Sequence, residues 1–116
     1  MWRRKREWRP EDVVARQQAM NRETWAALEE NGVGPRTELR LDFFYVAPGR
    51  DEANALAQFL RAETDYDVRT DSKSVSGSPQ PTTVSPDVLD GWVEWMVLAG
   101  YEHGRCEFDG WGAELP

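Results

Sequence analysis

The densest apolar pattern in this chain lies in its last third, between Ser85 and Trp111. At about 100° per residue, one helical face collects six apolar side chains: Val88, Leu89, Trp92, Trp95, Met96 and Ala99. Ser85 is suited to cap the N-terminus of this helix, and Pro86 occupies the first position, where its missing N–H costs nothing. So much aromatic area on one stripe predicts that this helix anchors the core.

Two earlier segments also have helical periodicity. The first begins at Pro10 and ends at Asn31-Gly32, a typical C-terminal stop, and its shared face holds Val13, Val14, Gln17, Met20, Thr24, Trp25 and Leu28. The second is Glu52–Glu63, which Asp51 is placed to cap, and its apolar stripe holds Ala53, Leu56, Phe59 and Leu60. Both stripes predict helices with one buried face.

The clearest strand is Leu39–Val46, because its side chains alternate with the two-residue period of a pleated sheet. The face expected to meet the helices holds Leu39, Leu41, Phe43 and Tyr45, and the opposite face holds Arg40, Asp42, Phe44 and Val46. Shorter strands are predicted at Tyr66–Thr70, Thr82–Val84 and Arg105–Asp109. The polar stretch Asp71–Pro81 lacks an apolar pattern and predicts a mobile loop.

The predicted order is one helix followed by β-α-β-β-α-β. This order favours an α+β split βαβ sandwich, with a four-stranded antiparallel sheet, two helices on one face and an extra N-terminal helix. Right-handed crossovers place the first and third strands at the centre of the sheet and make the first and last strands neighbours. Residues 10–116 are predicted to form this single α+β domain, preceded by a basic N-terminal arm at residues 1–9.

Charge is distributed unequally over the 116 residues. Five of the 14 basic residues lie within the first nine positions beside one of the 21 acids, which leaves nine basic and twenty acidic residues, a balance of −11, from Pro10 onward. Such a body repels nucleic acid and anionic membrane and favours basic partners. The arm, which also carries Trp2 and Trp8, is open to three interpretations: contact with RNA, lipid or an acidic partner, a solvated terminus, or folding onto the acidic domain.

The expected compartment is the cytoplasm. One cysteine, Cys106, cannot form an intrachain disulfide, so the sequence does not indicate an oxidising environment. No apolar run approaches the roughly 18 residues that cross a bilayer, and no apolar region follows the basic opening as it would in a signal peptide.

The inventory of reactive side chains favours a binding protein over an enzyme. His103 and Cys106 are the only histidine and cysteine, and no third group in the sequence would orient them as base and nucleophile. Together with Asp109 they make three mixed ligands, whereas structural zinc takes four. The many acids single out no catalytic pair, and no glycine-rich phosphate loop is present. We therefore predict no catalytic residue, no metal and no cofactor.

A partner-binding patch is predicted where the first and last strands lie side by side. Asp42 and Phe44 on the first strand, and Glu107, Asp109 and Trp111 on the last, have the same outward parity if both strands share one sheet. Acids beside exposed rings suit an arginine-rich segment. In the alternative interpretation, Trp111 folds onto the edge of its own domain, and the flanking glycines provide a tight turn.

The element order, the aromatic strand Asp42–Val46, the Asn21-Arg22 pair and the closing signature Phe108–Gly112 resemble the regulator of ribonuclease E activity B family. The resemblance covers about residues 20 to 114. It implies a ferredoxin-like fold and a protein that binds an endoribonuclease, whose scaffold region is arginine-rich, and dampens its cleavage of RNA.

The sequence therefore predicts a non-enzymatic regulator that binds an RNA-degrading endoribonuclease through an acidic and aromatic surface, without binding nucleic acid or membrane itself. The alternative is an interaction or assembly module of the same fold, for example a homodimer through the sheet face that carries Phe44, with a different partner. An enzyme with an unrecognised carboxylate pair is the third hypothesis.

Overall fold

The computed structural model describes residues 7–115 and has an α+β architecture with three helices and five antiparallel strands. The elements in chain order are α1 (Pro10–Glu30), β1 (Glu38–Val46), α2 (Arg50–Glu63), β2 (Asp67–Thr70), β3 (Ser74–Ser78), β4 (Thr82–Thr83), α3 (Pro86–Glu102) and β5 (Glu107–Glu114). Residues 1–6, which hold most of the predicted basic arm, lie outside the described residues. Trp8 of that arm is described and packs edge-on against Tyr101, with ring centroids 5.1 Å apart.

The sheet is organised around β1. β3 and β5 pair with β1 in antiparallel fashion, β2 pairs with the far edge of β3, and β4 adds two residue pairs at the beginning of β1. The predicted pairing of the first and last strands is therefore confirmed. The main order, β2-β3-β1-β5, is compatible with a ferredoxin-like sandwich.

The prediction of a loop at Asp71–Pro81 is wrong, because β3 occupies its middle. Val75 is the only large apolar residue of β3, and it is buried opposite Tyr45. Gly77 lies opposite Phe43, while the three serines of the strand fall on the other face. A strand whose inner face holds one valine and one glycine has no apolar alternation to reveal it.

The helices α2 and α3 both lie on the inner face of the sheet. Phe43 and Tyr45 of β1 join one cluster with α2, α3 and β5, whose other buried members include Leu56, Leu60, Val93, Met96, Val97 and Phe108. The Tyr45 hydroxyl donates a hydrogen bond to the carbonyl oxygen of Met96, 2.8 Å away. The predicted placement of two helices on one sheet face is thus confirmed.

The predicted cap of α3 is confirmed, whereas its predicted buried face is partly wrong. The Ser85 hydroxyl accepts a hydrogen bond from the Val88 N–H at 3.2 Å. However, Val88 and Trp95 are exposed, and Val93 and Val97 are buried in their place. Because α1 packs along α3, the buried arc of α3 turns away from the stripe that the densest apolar positions indicate.

The helix α1 is continuous, and its polar positions explain how it packs. Gln17 and Asn21 are buried, whereas Met20, which was predicted to face inward, is half exposed. The Asn21 amide donates to a carboxylate oxygen of Asp90 at 2.9 Å, and Gln18 donates to the Asp90 carbonyl oxygen at 3.3 Å. Asn21, a polar residue on the buried side of α1, and the neighbouring Gln18 thus hold α1 to α3 through Asp90.

Candidate binding surface on the outer sheet face

The side of the sheet that faces away from the helices forms the candidate site. We use the term outer sheet face for the outward residues around Phe44, namely Asp42, Phe44, Val46, Ser74, Ser76, Ser78, Glu107 and Asp109. Arg40 and Glu114, which pair with each other, and Arg69 of β2 lie on the same side of the sheet further from Phe44. Within this face Phe44 lies between Ser76 and Gly110, and Val46 lies between Ser74 and Glu107. The central strand therefore carries the large apolar side chains, and its neighbours carry small or acidic ones.

Two apolar side chains on this face are open to solvent. Phe44 is 47% exposed and Val46 is 53% exposed. The flanking Ser76 and Gly110 are too small to cover the sides of the phenyl ring. A phenylalanine in the middle of a sheet face, with no large neighbour, is an available stacking surface.

The acids of the outer sheet face differ in how firmly they are held. Asp42 is half-buried, and one of its carboxylate oxygens accepts a hydrogen bond from the Ser78 hydroxyl at 2.6 Å. Glu107 forms an exposed ion pair with Arg16 at 3.4 Å, an interaction worth about 0–1 kcal/mol that a partner's cation can replace. Asp109 is exposed. The side chain of Asp42 is thus held in one position, whereas those of Glu107 and Asp109 can reorient towards a partner.

Trp111 does not belong to this face, so the prediction of its outward parity is wrong. Phe44 pairs with Gly110 but Tyr45 pairs with Phe108, which leaves Asp109 as the extra residue of a β-bulge. Beyond the bulge the alternation is reversed, and Trp111 lies opposite Phe43 on the helix side. Gly110 accommodates the bulge with a φ of 137°, which a side chain would disfavour.

The indole of Trp111 is held inside the domain by α1 and α3. Its N–H donates a hydrogen bond to the side-chain oxygen of Asn21 at 2.8 Å. Its ring lies edge-on to Trp92, with centroids 6.4 Å apart. The alternative interpretation is therefore right that the Trp111 ring folds onto its own domain, but its tight turn is wrong, because Gly110 and Gly112 lie within β5 and pair with β1. A single extra residue in β5 decides the question, and the alternation pattern alone does not reveal it.

Cys106 and His103 do not form a nucleophile–base pair. The Cys106 thiol is buried and lies 3.5 Å from the carbonyl oxygen of Glu52, while the His103 ring stacks on Phe59 at 3.8 Å. Burial, with a smaller effect of the nearby Glu52 carboxylate, raises the pKa of the thiol to about 11. A thiol that stays protonated at neutral pH is a poor nucleophile.

We expect the protein to lose stability as the pH rises above about 9, where the thiol of the unfolded chain begins to ionise. In the folded state the pKa of Cys106 is about 11, so the unfolded state releases its proton first and is favoured. Burial likewise raises the pKa of Tyr45 well above its usual value. Urea unfolding midpoints measured from pH 8 to pH 11 should fall, and the fall should be smaller in Cys106→Ala. A midpoint that stays constant to pH 11 would contradict the burial of both groups.

A cavity of about 350 Å³ lies between the first turns of α3 and the loop before β4. Leu41, Leu89 and Trp92 are among its walls, and the Trp92 indole donates a hydrogen bond to the Tyr66 hydroxyl at 3.1 Å. Asp65 is the one acid among the residues that line it. The cavity therefore lacks the two carboxylates that acid–base catalysis of the glycosidase kind uses.

Two further findings concern residues 7–115. No group of three histidine, cysteine, aspartate or glutamate side chains in this range is arranged to hold a metal ion. None of the three helices in this range is both long and apolar enough to cross a membrane.

Comparison with known proteins does not assign the chain to a family. No family model matches it. No curated protein matches it either. The resemblance to the ribonuclease E regulators thus depends on the residues and element order given above, and the surface itself carries the functional argument.

Proposed function

We propose that this protein is a non-enzymatic binding module whose outer sheet face holds a cationic, arginine-rich segment of another protein. The observation that carries the proposal is the exposure of Phe44 and Val46 on β1, the central strand of the face. Asp42, Glu107 and Asp109 lie around these two side chains on the same and the neighbouring strand. An apolar centre bordered by carboxylates matches the chemistry of a guanidinium group, which is planar, charged and weakly hydrated.

The aromatic ring and the carboxylates of the face would contact a guanidinium group in different ways. A guanidinium lying over the Phe44 ring gains a cation–π interaction, and its N–H groups reach neighbouring carboxylates as charge-assisted hydrogen bonds. Asp42, held by Ser78, supplies a carboxylate that needs little ordering upon binding. The balance of −11 from Pro10 onward would accelerate the encounter with a basic partner by long-range attraction.

Homodimerisation through this face is the weaker alternative. Two copies face to face would bring Asp42, Glu107 and Asp109 against the same acids, at a cost in repulsion. The three strands of this face, about 14 Å wide and about 20 Å long, offer on the order of 300 Å² per copy, less than half of what a stable interface buries on each side. Charge and area both favour a short basic segment over a second copy.

Direct binding of nucleic acid is disfavoured by the same charges. Stacking of a base on Phe44 would bring phosphates next to Asp42 and Asp109. Proteins that bind single strands on such sheets surround the stacking rings with basic side chains, because phosphate contacts supply most of the affinity.

The finer proposal takes its partner from the family resemblance. The strand order β2-β3-β1-β5 and the shared helix face support a ferredoxin-like sandwich. On this basis we propose that the partner is the arginine-rich region of an RNA-degrading endoribonuclease, that binding dampens RNA cleavage, and that the protein acts in the cytoplasm. The arginine-rich chemistry of that partner agrees with the outer sheet face.

Neutralising two acids should weaken binding and reduce its salt dependence. In Glu107→Gln/Asp109→Asn, we expect the affinity for a 20-residue arginine–glycine repeat peptide to fall about tenfold at 50 mM salt, because two charge-assisted contacts are lost. The matched control is Glu29→Gln/Glu30→Gln, which removes two exposed acids at the end of α1. Isothermal titration at 50 and 300 mM salt measures both effects.

Equal losses in the two double variants would show that only net charge matters, and would contradict a site on the outer sheet face. The partner is tested separately, with a purified ribonuclease E-type enzyme and a labelled RNA. We expect the wild-type protein to slow cleavage and the Glu107→Gln/Asp109→Asn variant to slow it less. Peptide binding without any effect on cleavage would reject the nuclease as partner and leave the binding surface supported.

A further inference from the structure

A second apolar surface lies on the opposite side of the molecule, along the solvent side of α3. We use the term α3 ridge for Val88, Gly91, Trp95 and Leu98, which occupy positions i, i+3, i+7 and i+10. These spacings keep the four residues within an arc of about 80°. Val88 is 54% exposed, Trp95 40% and Leu98 43%, and Gly91 is exposed between them.

The composition of α3 is unusual for a helix with an open side. Its buried face already holds Leu89, Val93, Met96 and Val97, so apolar side chains occur nearly all around it. A helix that is apolar on every side is normally covered on every side. The charged residues of this surface lie at its borders, because Asp87, Glu94 and Glu102 are exposed beside or beyond the ridge.

Two features of the α3 ridge favour the binding of a partner: the supported ring of Trp95 and the open space at Gly91. The Trp95 ring stacks on Phe59 of α2 at 6.0 Å and 28°, and Phe59 in turn stacks on His103. An indole supported in this way loses little freedom on binding, which is a property of hot-spot residues. At Gly91 a Cβ atom would meet nothing within 4 Å. No internal packing requires glycine there, so the gap leaves room for another backbone to approach.

The charges indicate what covers this surface. The helix α3 carries four acids, Asp87, Asp90, Glu94 and Glu102, and no lysine or arginine. A second copy of the chain would set the exposed Asp87, Glu94 and Glu102 against an identical set, which costs free energy. We propose that the α3 ridge docks an amphipathic helix of a partner protein whose apolar stripe is bordered by lysine and arginine.

The dimensions of the ridge set the expected size of the partner helix. The rise from Val88 to Leu98 is about 15 Å, so a partner helix of about 11 to 14 residues spans it. Such a helix would place its apolar residues at i, i+4 and i+7 against Trp95 and Leu98. Its flanking cations would meet Glu94 and Glu102, and its backbone would pass closest at Gly91.

The proposal is independent of the outer sheet face, because the ridge lies on the solvent side of the helix layer. The probe is a 14-residue helical peptide of leucine and lysine, and its control replaces every lysine with glutamate. We expect the lysine peptide to bind at micromolar concentration and the glutamate peptide not to bind. Isothermal titration measures the affinities, and amide chemical shifts of the labelled protein locate the site.

Leu98→Ser should weaken the lysine peptide at least tenfold, whereas Phe44→Ser on the outer sheet face should leave its affinity unchanged. A second variant avoids any doubt about folding. Gly91→Lys adds a side chain where there is open space, favours the helix, and should block the peptide. Binding that survives both Leu98→Ser and Gly91→Lys would overturn the proposal.

Two other results would also overturn the proposal. One is a concentration-dependent dimer that Leu98→Ser dissociates, because a second copy would then be the occupant of the ridge. The other is an equal loss of affinity in Phe44→Ser, because the peptide would then bind the outer sheet face. In the latter case the proposed function stands and the ridge proposal fails, so the two are distinguishable.

Discussion

Replacing Gly100 by alanine is expected to lower the free energy of unfolding by about 3 kcal/mol, since a small addition to a closed core forces the surrounding structure to move. A Cβ atom at this position would press on the carbonyl oxygen of Cys106 and lie 2.6 Å from Cε2 of Tyr45. Neither neighbour can yield easily. The Cys106 backbone is fixed by its N–H bond to Gly100, and Tyr45 is buried with its hydroxyl bound to Met96.

The control for this change lies in the same helix. Gly91→Ala adds the same methyl group where nothing lies within 4 Å, so it should raise stability by about 0.5–1 kcal/mol through helix propensity. Urea denaturation of both variants measures the difference. If the two substitutions changed stability in the same direction, the close contact between α3, Tyr45 and Cys106 would be wrong.

Trp111→Ala is expected to cost about 3 kcal/mol of stability without weakening the arginine–glycine peptide. The substitution removes the edge-on contact with Trp92 and leaves the buried side-chain oxygen of Asn21 without its donor. Because the ring lies on the helix side of the sheet, the peptide site on the other side retains its shape.

Trp111→Phe separates the two contributions of this residue. It keeps most of the packing and removes only the N–H, so we expect a loss of about 1–2 kcal/mol. Thermal denaturation and peptide titration are measured on both variants. A stable Trp111→Ala protein that no longer binds the peptide would return Trp111 to the binding surface and contradict the β-bulge.

Much of the fold follows from local patterns in the sequence. Strand β1 alternates over nine residues, and its inner and outer sets agree with the predicted ones. The N-cap of α3 is a local signal as well, because the partner of the Ser85 hydroxyl is a backbone N–H of the same helix. Such signals are strong where one residue type satisfies one backbone requirement.

Other features depend on contacts that no local pattern contains. Strand β3 is stabilised by its pairing with β1. Val75 lies opposite Tyr45, and Ser78 donates a hydrogen bond to Asp42, only when the sheet has formed. The exposed side of α3 was predicted to be core, because apolar residues on two faces do not indicate which one the fold covers.

The candidate site was predicted in part. Phe44 is exposed in the outward register expected of it, and the expected Glu107 lies on the same face, opposite Val46. The error at Trp111 arises from one extra residue, Asp109, because a shift of one position moves every later side chain to the other face. Gly110 is a local hint, since a glycine inside a strand often marks a bulge.

The two proposals together assign a binding role to two separate apolar surfaces. The outer sheet face presents Phe44 beside carboxylates and suits an extended arginine-rich segment. The α3 ridge presents Trp95 and Leu98 on a helix whose charged residues are all acidic, and it suits a basic amphipathic helix. Under the two proposals both surfaces would bind basic partners, one as an extended segment and the other as a helix.

The most direct test of the central claim is a titration of the labelled protein with the arginine–glycine peptide, followed through amide chemical shifts. We predict saturable changes centred on Phe44, Val46 and Asp109, and their loss in Phe44→Ser. Shift changes confined to other parts of the protein would contradict a cation-binding outer sheet face. So would binding that does not saturate at about 1 mM peptide, a concentration that corresponds to only about 4 kcal/mol of binding free energy.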